Sequence, residues 1–375
     1  MPSLLPELDP SGLLEYSVVF TDRSLNHMSD SFQQVMTDVS DTLREVYRAE
    51  TVVLVPGGGT YAMEAVARQF ATGKQCLVLR NGFFSYRWTQ IFEMGRIPAE
   101  HTVLKARMIA DEPRAPFAPA NIETAVQTIR KLRPDLVFAP HVETSAGMIL
   151  PDDYLQRIAG AVHEVGGLFV LDCIASGAMW VDMKATGVDI LISAPQKGWS
   201  ASPSSGLVML NENAVKIMES TTSSSFSCDL KKWHQIMQAY EHGGHAYHAT
   251  MPTDALVGLR NAMNEMREFG FENGKQAQAE LGNRVRQLLT ARGIHSVAAP
   301  GYQAPGVVVS YTDDPDIHNG SKFSAQGLQI AAGVPLMCDE PEGFRTFRIG
   351  LFGLDKLTDI QRSADNLDRA VGQIF

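Results

Sequence analysis

Short apolar runs that alternate with longer amphipathic stretches limit the fold of this 375-residue chain more than any other feature. The runs occupy residues 51–55, 76–79, 136–139, 168–171 and 190–192. Segments with helical periodicity, such as residues 121–132 and 153–165, precede the later runs. Strands that are apolar throughout are typical of a parallel sheet that helices cover on both faces. The pattern therefore predicts an α/β domain.

The C-terminal third has a different order of elements. A long helix is predicted from near residue 253 to beyond 268, and a second one from about 274 to 292. Residues 307–311 and 346–349 are predicted strands, and residues 358–371 a closing helix. This order indicates a smaller α+β domain. We expect an N-terminal segment (residues 1–20), a large α/β domain (21–252) and the smaller domain (253–375).

Composition excludes several classes of function. The net charge of −10 argues against a broad nucleic-acid or anionic-membrane surface, because either needs clustered Lys and Arg. No apolar run is long enough to span a membrane, and no secretory signal is visible. The four cysteines are widely spaced, which predicts reduced thiols rather than a disulfide framework or a metal site. We expect a cytoplasmic protein.

A glycine-rich turn, Gly57-Gly58-Gly59-Thr60, lies between the first predicted strand and the helix that follows it. Glycines let the backbone approach a ligand, and the N-terminus of a helix attracts a phosphate group. A tight turn without a ligand is the alternative. The segment 57–62 also fits a dinucleotide-binding fingerprint, although the next predicted strand ends without the acidic residue that binds a ribose. Alone, the turn indicates a phosphate site.

Two ionisable residues follow later strands. Asp172 ends the apolar run 168–171, and Lys197 follows the run 190–192 among small and aromatic neighbours. Ligands of open parallel sheets bind at the carboxyl ends of the strands. The alternatives are a helix cap or turn for Asp172 and a solvated surface lysine for Lys197. The neighbours of Lys197 favour partial desolvation, which stabilises the neutral amine that Schiff-base formation requires.

A phosphate-binding turn, an anion at one strand end and an amine at another match the three needs of pyridoxal 5'-phosphate (PLP). The phosphate needs N–H donors, the pyridine nitrogen needs an anionic partner, and the aldehyde needs an amine. Residues 81–86 (Asn-Gly-Phe-Phe-Ser-Tyr) offer an aromatic side chain to cover the ring. We therefore predict a PLP enzyme with Lys197 as its Schiff-base lysine.

The chain resembles the class V aminotransferases, and among them the alanine–glyoxylate and serine–pyruvate aminotransferases. The resemblance extends from about Asn26 to the C-terminus. Its markers are residues 57–60, 81–82, 143–147 (Glu-Thr-Ser-Ala-Gly), 171–173 (Leu-Asp-Cys), 193–197 (Ser-Ala-Pro-Gln-Lys), 247–252 (Tyr-His-Ala-Thr-Met-Pro) and 347–350 (Phe-Arg-Ile-Gly). It implies fold type I, in which a mostly parallel seven-stranded sheet forms the large domain and an α+β unit the small one.

The resemblance also implies roles for individual residues. The expected cofactor contacts are Gly58, Gly59, Thr60 and Gln196 at the phosphate, Phe84 on the ring, Thr144 or Ser145 near the phenolic oxygen, Asp172 at the pyridinium and Lys197 at the aldehyde. Tyr247 and Thr250 are expected to reach the phosphate in a neighbouring subunit, which implies a homodimer. Arg348 is expected to bind the substrate α-carboxylate, with Arg345 as the alternative.

The implied activity is transamination of a small amino acid, of the alanine or serine type, with a short 2-oxo acid such as glyoxylate or pyruvate. Lys197 and Asp172 are the expected catalytic residues, and no metal is expected. A PLP lyase or desulfurase of the same fold is the nearer alternative, with Cys228 or Cys338 as its nucleophile. An NAD(P)-dependent oxidoreductase built on the glycine turn is the more distant one. The segment before His27 is shorter than in such relatives, and the identity of the substrate is the property that this difference affects most.

Overall fold

Parallel strands form the centre of the protein in a computed structural model that describes residues 14, 16–18 and 23–375. The strands are β1 (Thr51–Pro56), β2 (Gln75–Arg80), β3 (Glu100–Lys105), β4 (Arg107–Met108), β5 (Phe117–Ala118), β6 (Leu136–Pro140), β7 (Val142–Glu143), β8 (Met148–Ile149), β9 (Leu168–Asp172), β10 (Ile190–Ser193), β11 (Ser205–Leu210), β12 (Val307–Tyr311), β13 (Ala331–Ala332) and β14 (Thr346–Gly350). Most of the predicted N-terminal segment, residues 1–20, lies outside the described residues.

Helices connect most of these strands. They are α1 (Asp30–Tyr47), α2 (Gly59–Phe70), α3 (Phe83–Gly95), α4 (Ile122–Leu132), α5 (Asp152–Glu164), α6 (Met183–Thr186), α7 (Glu212–Glu219), α8 (Leu230–Glu241), α9 (Thr253–Phe269), α10 (Phe271–Thr290), α11 (Pro315–His318), α12 (Ser321–Ala325), α13 (Leu354–Leu357) and α14 (Ile360–Ile374).

One seven-stranded sheet has the order β1-β11-β10-β9-β6-β2-β3. Strand β11 runs antiparallel to β1 and β10, and the other neighbouring pairs are parallel. Every apolar run identified in the sequence is a strand of this sheet. The predicted α/β fold with a mostly parallel sheet is therefore confirmed.

The carboxyl ends of three central strands lie side by side. Asp172 of β9 is in register with Pro140 of β6 on one side and with Ile192 of β10 on the other. Strand β1 ends at the same edge, because it is antiparallel to β11 and β11 is antiparallel to β10. The residues that follow β1, β6, β9 and β10 therefore emerge together, where open sheets of this kind bind ligands.

Several helices begin at a residue whose side chain caps them, whereas others, α2 among them, have no side-chain cap. Ser29 precedes α1, and its Oγ accepts a hydrogen bond from the N–H of Phe32 at 3.2 Å. Such a cap satisfies an N–H group that has no partner within the helix. Helix α2 begins at Gly59, and its N-cap, Gly58, has no side chain to supply this hydrogen bond. The free N–H groups in the first turn of α2 can therefore bind a ligand or solvent.

The C-terminal elements form clusters of their own. Leu256 and Met263 of α9 pack in the main hydrophobic cluster around the large sheet, whereas Met266, one turn further, packs in a second cluster. The second cluster joins α10 and α14 to a sheet of order β12-β14-β13. A domain boundary near residue 252 stays a prediction, since α9 contributes to both clusters.

Among the described residues, no helix has both the length and the apolar sequence that a membrane crossing requires.

Candidate active site

Five segments of the chain meet around one cavity of about 330 Å³ at the carboxyl edge of the large sheet. Sites for small molecules typically measure about 300–1,000 Å³. The cavity is lined by residues 57–61, Met63, Phe84, Arg87, Val142, Thr144, Asp172, Ile174, Ala175, Gln196 and Lys197. Residues that are far apart in the sequence and that were predicted to bind one cofactor are thus brought together.

The glycine turn presents the N-terminus of α2 to this cavity. The N–H of Gly57 donates to the carbonyl of Ser204 at 2.9 Å, which fixes the turn between β1 and α2. A Cβ atom at Gly59 would lie 2.4 Å from Cδ1 of Ile174, so the close packing here requires glycine. Since free N–H groups and the helix dipole both favour an anion, the turn is suited to a phosphate group.

Asp172 is a buried carboxylate at the end of β9, with 7% of its surface exposed. Its Oδ1 accepts a hydrogen bond from the N–H of Ile174 at 2.9 Å. Burial raises the pKa of Asp172 to about 7, despite the opposing effect of that hydrogen bond and of the positive charges of Arg87 and Lys197. A cation placed beside Asp172 would lower this pKa and keep the carboxylate ionised.

Lys197 is half-buried on the loop that follows β10. Its Nζ lies 5.0 Å from the centre of the Phe352 ring. Burial lowers the pKa of Lys197, the charge of Arg348 lowers it further, and Asp172 opposes both effects. Trp199 is fully buried against Trp180, with ring centres 4.6 Å apart, and anchors the loop. This environment differs from that of a solvated surface lysine, because it favours the neutral amine.

Helix α3 carries Phe84 to the cavity, and Glu143 holds the N-terminus of that helix. Oε1 of Glu143 accepts a hydrogen bond from the N–H of Phe84 at 3.2 Å, and Oε2 accepts one from the N–H of Ser85 at 2.8 Å. The hydroxyl of Ser145 donates to Oε1 at 2.7 Å and is fully buried. Thr144 and Ser145 were the two residues predicted to contact the phenolic oxygen of PLP. Thr144 lines the cavity, whereas the hydroxyl of Ser145 accepts a hydrogen bond from the N–H of Phe83 at the start of α3.

The two candidate carboxylate binders occupy different surroundings. Nε of Arg348 on β14 donates to the carbonyl of Ala332 at 2.7 Å, and its guanidinium carbon lies 5.6 Å from the centre of the Phe84 ring. Arg345 donates to the carbonyl of Asp313 at 2.5 Å and lines a separate cavity. Of the two arginines, Arg348 is therefore the one that lies next to a residue lining the cavity at the sheet edge.

Arg87 is a member of the site that the sequence did not identify. Its Nη1 donates to Oγ1 of Thr60 at 2.9 Å, and it lines the cavity. The only signal in the sequence was its position shortly after the 81–86 segment, which does not distinguish it from a surface arginine.

Tyr247 and Thr250 do not reach the cavity of their own chain. Their hydroxyl oxygens lie 3.1 Å apart on the segment between α8 and α9, and 56% of the surface of Tyr247 is exposed. Within one chain they line a separate small cavity with His27 and Trp233.

The cysteines proposed as desulfurase nucleophiles are buried. Sγ of Cys338 lies 3.4 Å from the carbonyl oxygen of Arg80, and burial raises the pKa of its thiol to about 12. Burial also raises the pKa of Cys228. Since the thiolate is the reactive form, this environment does not favour a sulfur-transfer enzyme.

Several known proteins of similar sequence or structure are aminotransferases. The 2-aminoethylphosphonate–pyruvate transaminase 2 of Paraburkholderia xenovorans is 28% identical over 344 residues, which cover 89% of this chain and 87% of that protein. The alanine–glyoxylate aminotransferase of Rattus norvegicus is 26% identical over 370 residues, or 93% and 81% of the two chains. The crystal structure of an alanine–glyoxylate aminotransferase from Nostoc sp. matches with a TM-score of 0.78 at 23% identity, over 94% of this chain and 89% of that one.

The sheet order and the match to this crystal structure show that the protein has fold type I. The sequence then narrows the class. Residues 13–333 match the family described as Aminotransferase class-V, and the chain belongs to that family. It is a PLP-dependent aminotransferase, which confirms the predicted enzyme class and cofactor.

The residues at the cavity fit this cofactor. The glycine turn offers main-chain donors for a phosphate, and Lys197 offers an amine whose charged form is disfavoured. Asp172 is a buried carboxylate with a raised pKa, which a protonated ring nitrogen would satisfy. All three groups line the same cavity at the carboxyl edge of the sheet.

Proposed function

We propose that this aminotransferase transfers the amino group of a small amino acid to a short 2-oxo acid, with Lys197 as the catalytic lysine. The observation that carries the proposal is the half-buried Lys197 in the same cavity as Asp172 and the glycine turn. Pyruvate and glyoxylate are the proposed acceptors, because the names of two similar proteins specify these 2-oxo acids.

The cofactor contacts follow from the groups that line the cavity. When bound, PLP supplies an aldehyde that condenses with amines and a ring that withdraws electrons from the carbon next to the nitrogen. The turn from Gly58 to Thr60, with Gln196, would hold the phosphate group, and Phe84 would cover the ring. Thr144 would contact the phenolic oxygen. Asp172 would keep the proton on the ring nitrogen, because a buried carboxylate gains most from a cationic partner.

Lys197 and Arg348 would act on different parts of the substrate, the α-carbon and the α-carboxylate. Lys197 would take the proton from the α-carbon and return it, which requires the neutral amine that its lowered pKa favours. Arg348 would bind the α-carboxylate with its guanidinium, since the planar fork of arginine matches a carboxylate. The guanidinium lies close to the Phe84 ring, so the substrate carboxylate and the covered ring would be neighbours.

We also propose that two chains form a homodimer and that Tyr247 and Thr250 reach the phosphate site of the partner. Both are exposed on the segment between α8 and α9. Phe226, which is 76% exposed, packs against His248 of this segment with tilted rings whose centres lie 4.5 Å apart. An exposed aromatic cluster of this kind is typical of a surface that another chain covers. Sedimentation at equilibrium should give twice the chain mass, and a monomer that retains full cofactor affinity would contradict the proposal.

A reducing compartment such as the cytoplasm is the proposed location. Cys76, Cys173, Cys228 and Cys338 are all buried and free. Buried reduced thiols are usual in proteins of that compartment. A disulfide-linked form isolated from cells would argue against this location.

The test of the catalytic assignment compares Lys197→Ala with a surface control, Lys216→Ala. Lys216 pairs with Glu212 on the exposed face of α7 and lies outside the cavity. Alanine, serine, aspartate and 2-aminoethylphosphonate are offered as donors, each with pyruvate or glyoxylate. We expect Lys197→Ala to lose transamination by at least about 1,000-fold together with the visible absorbance of the holoenzyme, whereas Lys216→Ala keeps both. Normal turnover by Lys197→Ala would refute the assignment.

A further inference from the structure

Arg87 connects the two helices that end at the cavity. It lies on α3, one turn after Phe84, and its Nη1 donates to Oγ1 of Thr60 in the first turn of α2 at 2.9 Å. Its guanidinium carbon lies 5.3 Å from the centre of the Phe84 ring. The polar contact described for Arg87 is therefore to a neutral hydroxyl, and its charge faces the cavity that the glycine turn lines.

The phosphate end of this cavity needs more positive charge than the backbone supplies. A phosphate monoester carries close to two negative charges at neutral pH, whereas the N-terminus of a helix contributes roughly half a positive charge. Among the charged residues that line or adjoin the cavity, Lys197 is assigned to the aldehyde and Arg348 adjoins Ala332 at the substrate end. Arg87 is the cation that contacts the glycine turn itself.

We propose that Arg87 binds the phosphate group of PLP, beside the glycine turn. This inference rests on the proposed role of that turn as the phosphate site. A guanidinium has five N–H donors in one plane, so Arg87 can keep its hydrogen bond to Thr60 and direct further donors at a phosphate oxygen. The ring of Phe84 limits the orientations of the guanidinium, because cation and ring are already in contact. Arg87 is thus a direct ligand of the cofactor that also aligns Thr60.

A comparison of two cofactors separates this role from a general effect on the fold. PLP and pyridoxal share the ring and the aldehyde, and only PLP carries the phosphate. The dissociation constants of both are measured by absorbance and fluorescence on the cofactor-free forms of the wild type, Arg87→Gln and Arg87→Lys. Arg68→Gln serves as the control, since Arg68 pairs with Glu64 in the same helix as Thr60 but lies away from the cavity.

Arg87→Gln is expected to weaken PLP binding by about 10- to 100-fold and to change pyridoxal binding by less than about threefold, because only a charge-assisted hydrogen bond is lost. Arg87→Lys should recover part of the loss. Inorganic phosphate should slow reconstitution of the wild type with PLP more strongly than that of Arg87→Gln. Arg68→Gln should bind both cofactors as the wild type does.

Two outcomes would refute Arg87 as a phosphate ligand and would leave the assignment as an aminotransferase unaffected. In one, Arg87→Gln weakens PLP and pyridoxal by the same factor, which would make Arg87 a support for Phe84 and α3. In the other, Arg87→Gln keeps the full preference of the wild type for PLP over pyridoxal. A wild type without such a preference would instead refute the glycine turn as the phosphate site.

Discussion

Replacement of Asp172 by asparagine is expected to stabilise the cofactor-free protein and at the same time to impair the enzyme. The reason is that the buried carboxylate is unfavourable for the fold as long as no cation lies beside it. Asparagine has nearly the same shape, and its Oδ1 can still accept the hydrogen bond from the N–H of Ile174. The variant thus removes the charge and little else.

The size and sign of the effect follow from the pKa of Asp172. Burial raises this pKa from 3.8 to about 7, so the folded state binds the proton more tightly than the unfolded state between these values. The free energy of unfolding of the wild type therefore falls as the pH rises through this window. Relative to asparagine, the carboxylate costs about 2 kcal/mol at pH 5 and about 4 kcal/mol at pH 8.

Urea denaturation of the cofactor-free proteins at pH 5 and pH 8, at one protein concentration, measures this difference. Asp189→Asn is the matched control, because Asp189 is also a buried carboxylate of this sheet but accepts hydrogen bonds from the N–H of Phe169, from Asn211 and from His163. It should lose about 1–3 kcal/mol. Asp172→Asn should gain stability, more at pH 8 than at pH 5, and should bind PLP weakly. A loss of stability like that of the control, or a gain independent of pH, would refute the reasoning.

Three further substitutions test other parts of the site. Arg348→Lys should raise the KM for carboxylate-bearing donors roughly 10- to 100-fold and leave the absorbance of the bound cofactor unchanged, since lysine cannot form the two-pronged contact; an unchanged KM would remove Arg348 from the substrate site. Gly198→Ala should lower the free energy of unfolding by about 1–3 kcal/mol, because its Cβ would lie 2.1 Å from the carbonyl oxygen of Gly177, and thermal unfolding measures this. Cys338→Ser should keep transamination within about twofold and the wild type should release no sulfide from cysteine, because the thiol is buried with a raised pKa; sulfide that disappears in the variant would restore the desulfurase alternative.

The sequence predicts the centre of the sheet well and its periphery poorly. Strands β6 and β9 are apolar at nearly every position because helices cover both faces, so their positions and their polar ends could be recognised. Strand β3 lies at the edge and begins Glu-His-Thr, without an apolar run. Strand β11 begins with the polar but buried Ser205, and its apolar residues 207–210 (Leu-Val-Met-Leu) are not among the runs recognised in the sequence. Its antiparallel register with β1 and β10 places β11 inside the large sheet.

The candidate site shows the same limit. Asp172 and Lys197 could be inferred because each follows a recognisable strand, and the sheet brings strand ends together. Arg87 and Glu143 could not, because their roles depend on the placement of α3 against the loops after β1 and β6. No local pattern fixes that placement. Residues whose function depends on contacts between distant segments are those that a single sequence describes least.

Buried carboxylates at the ends of the sheet's strands differ in how many hydrogen-bond donors surround them. That difference distinguishes carboxylates that support the fold from one that is available to a ligand. Glu143 is fully buried and accepts hydrogen bonds from main-chain and hydroxyl donors at the N-terminus of α3, so its charge is already satisfied by the fold. Asp189 is likewise surrounded by a main-chain, an amide and an imidazole donor. Among the residues that the structure describes, Asp172 has one hydrogen-bond donor, the N–H of Ile174, and burial raises its pKa to about 7. Because an undersatisfied buried charge is costly, its retention at a cavity is best explained by a cationic ligand group, which is the role proposed for the cofactor's ring nitrogen.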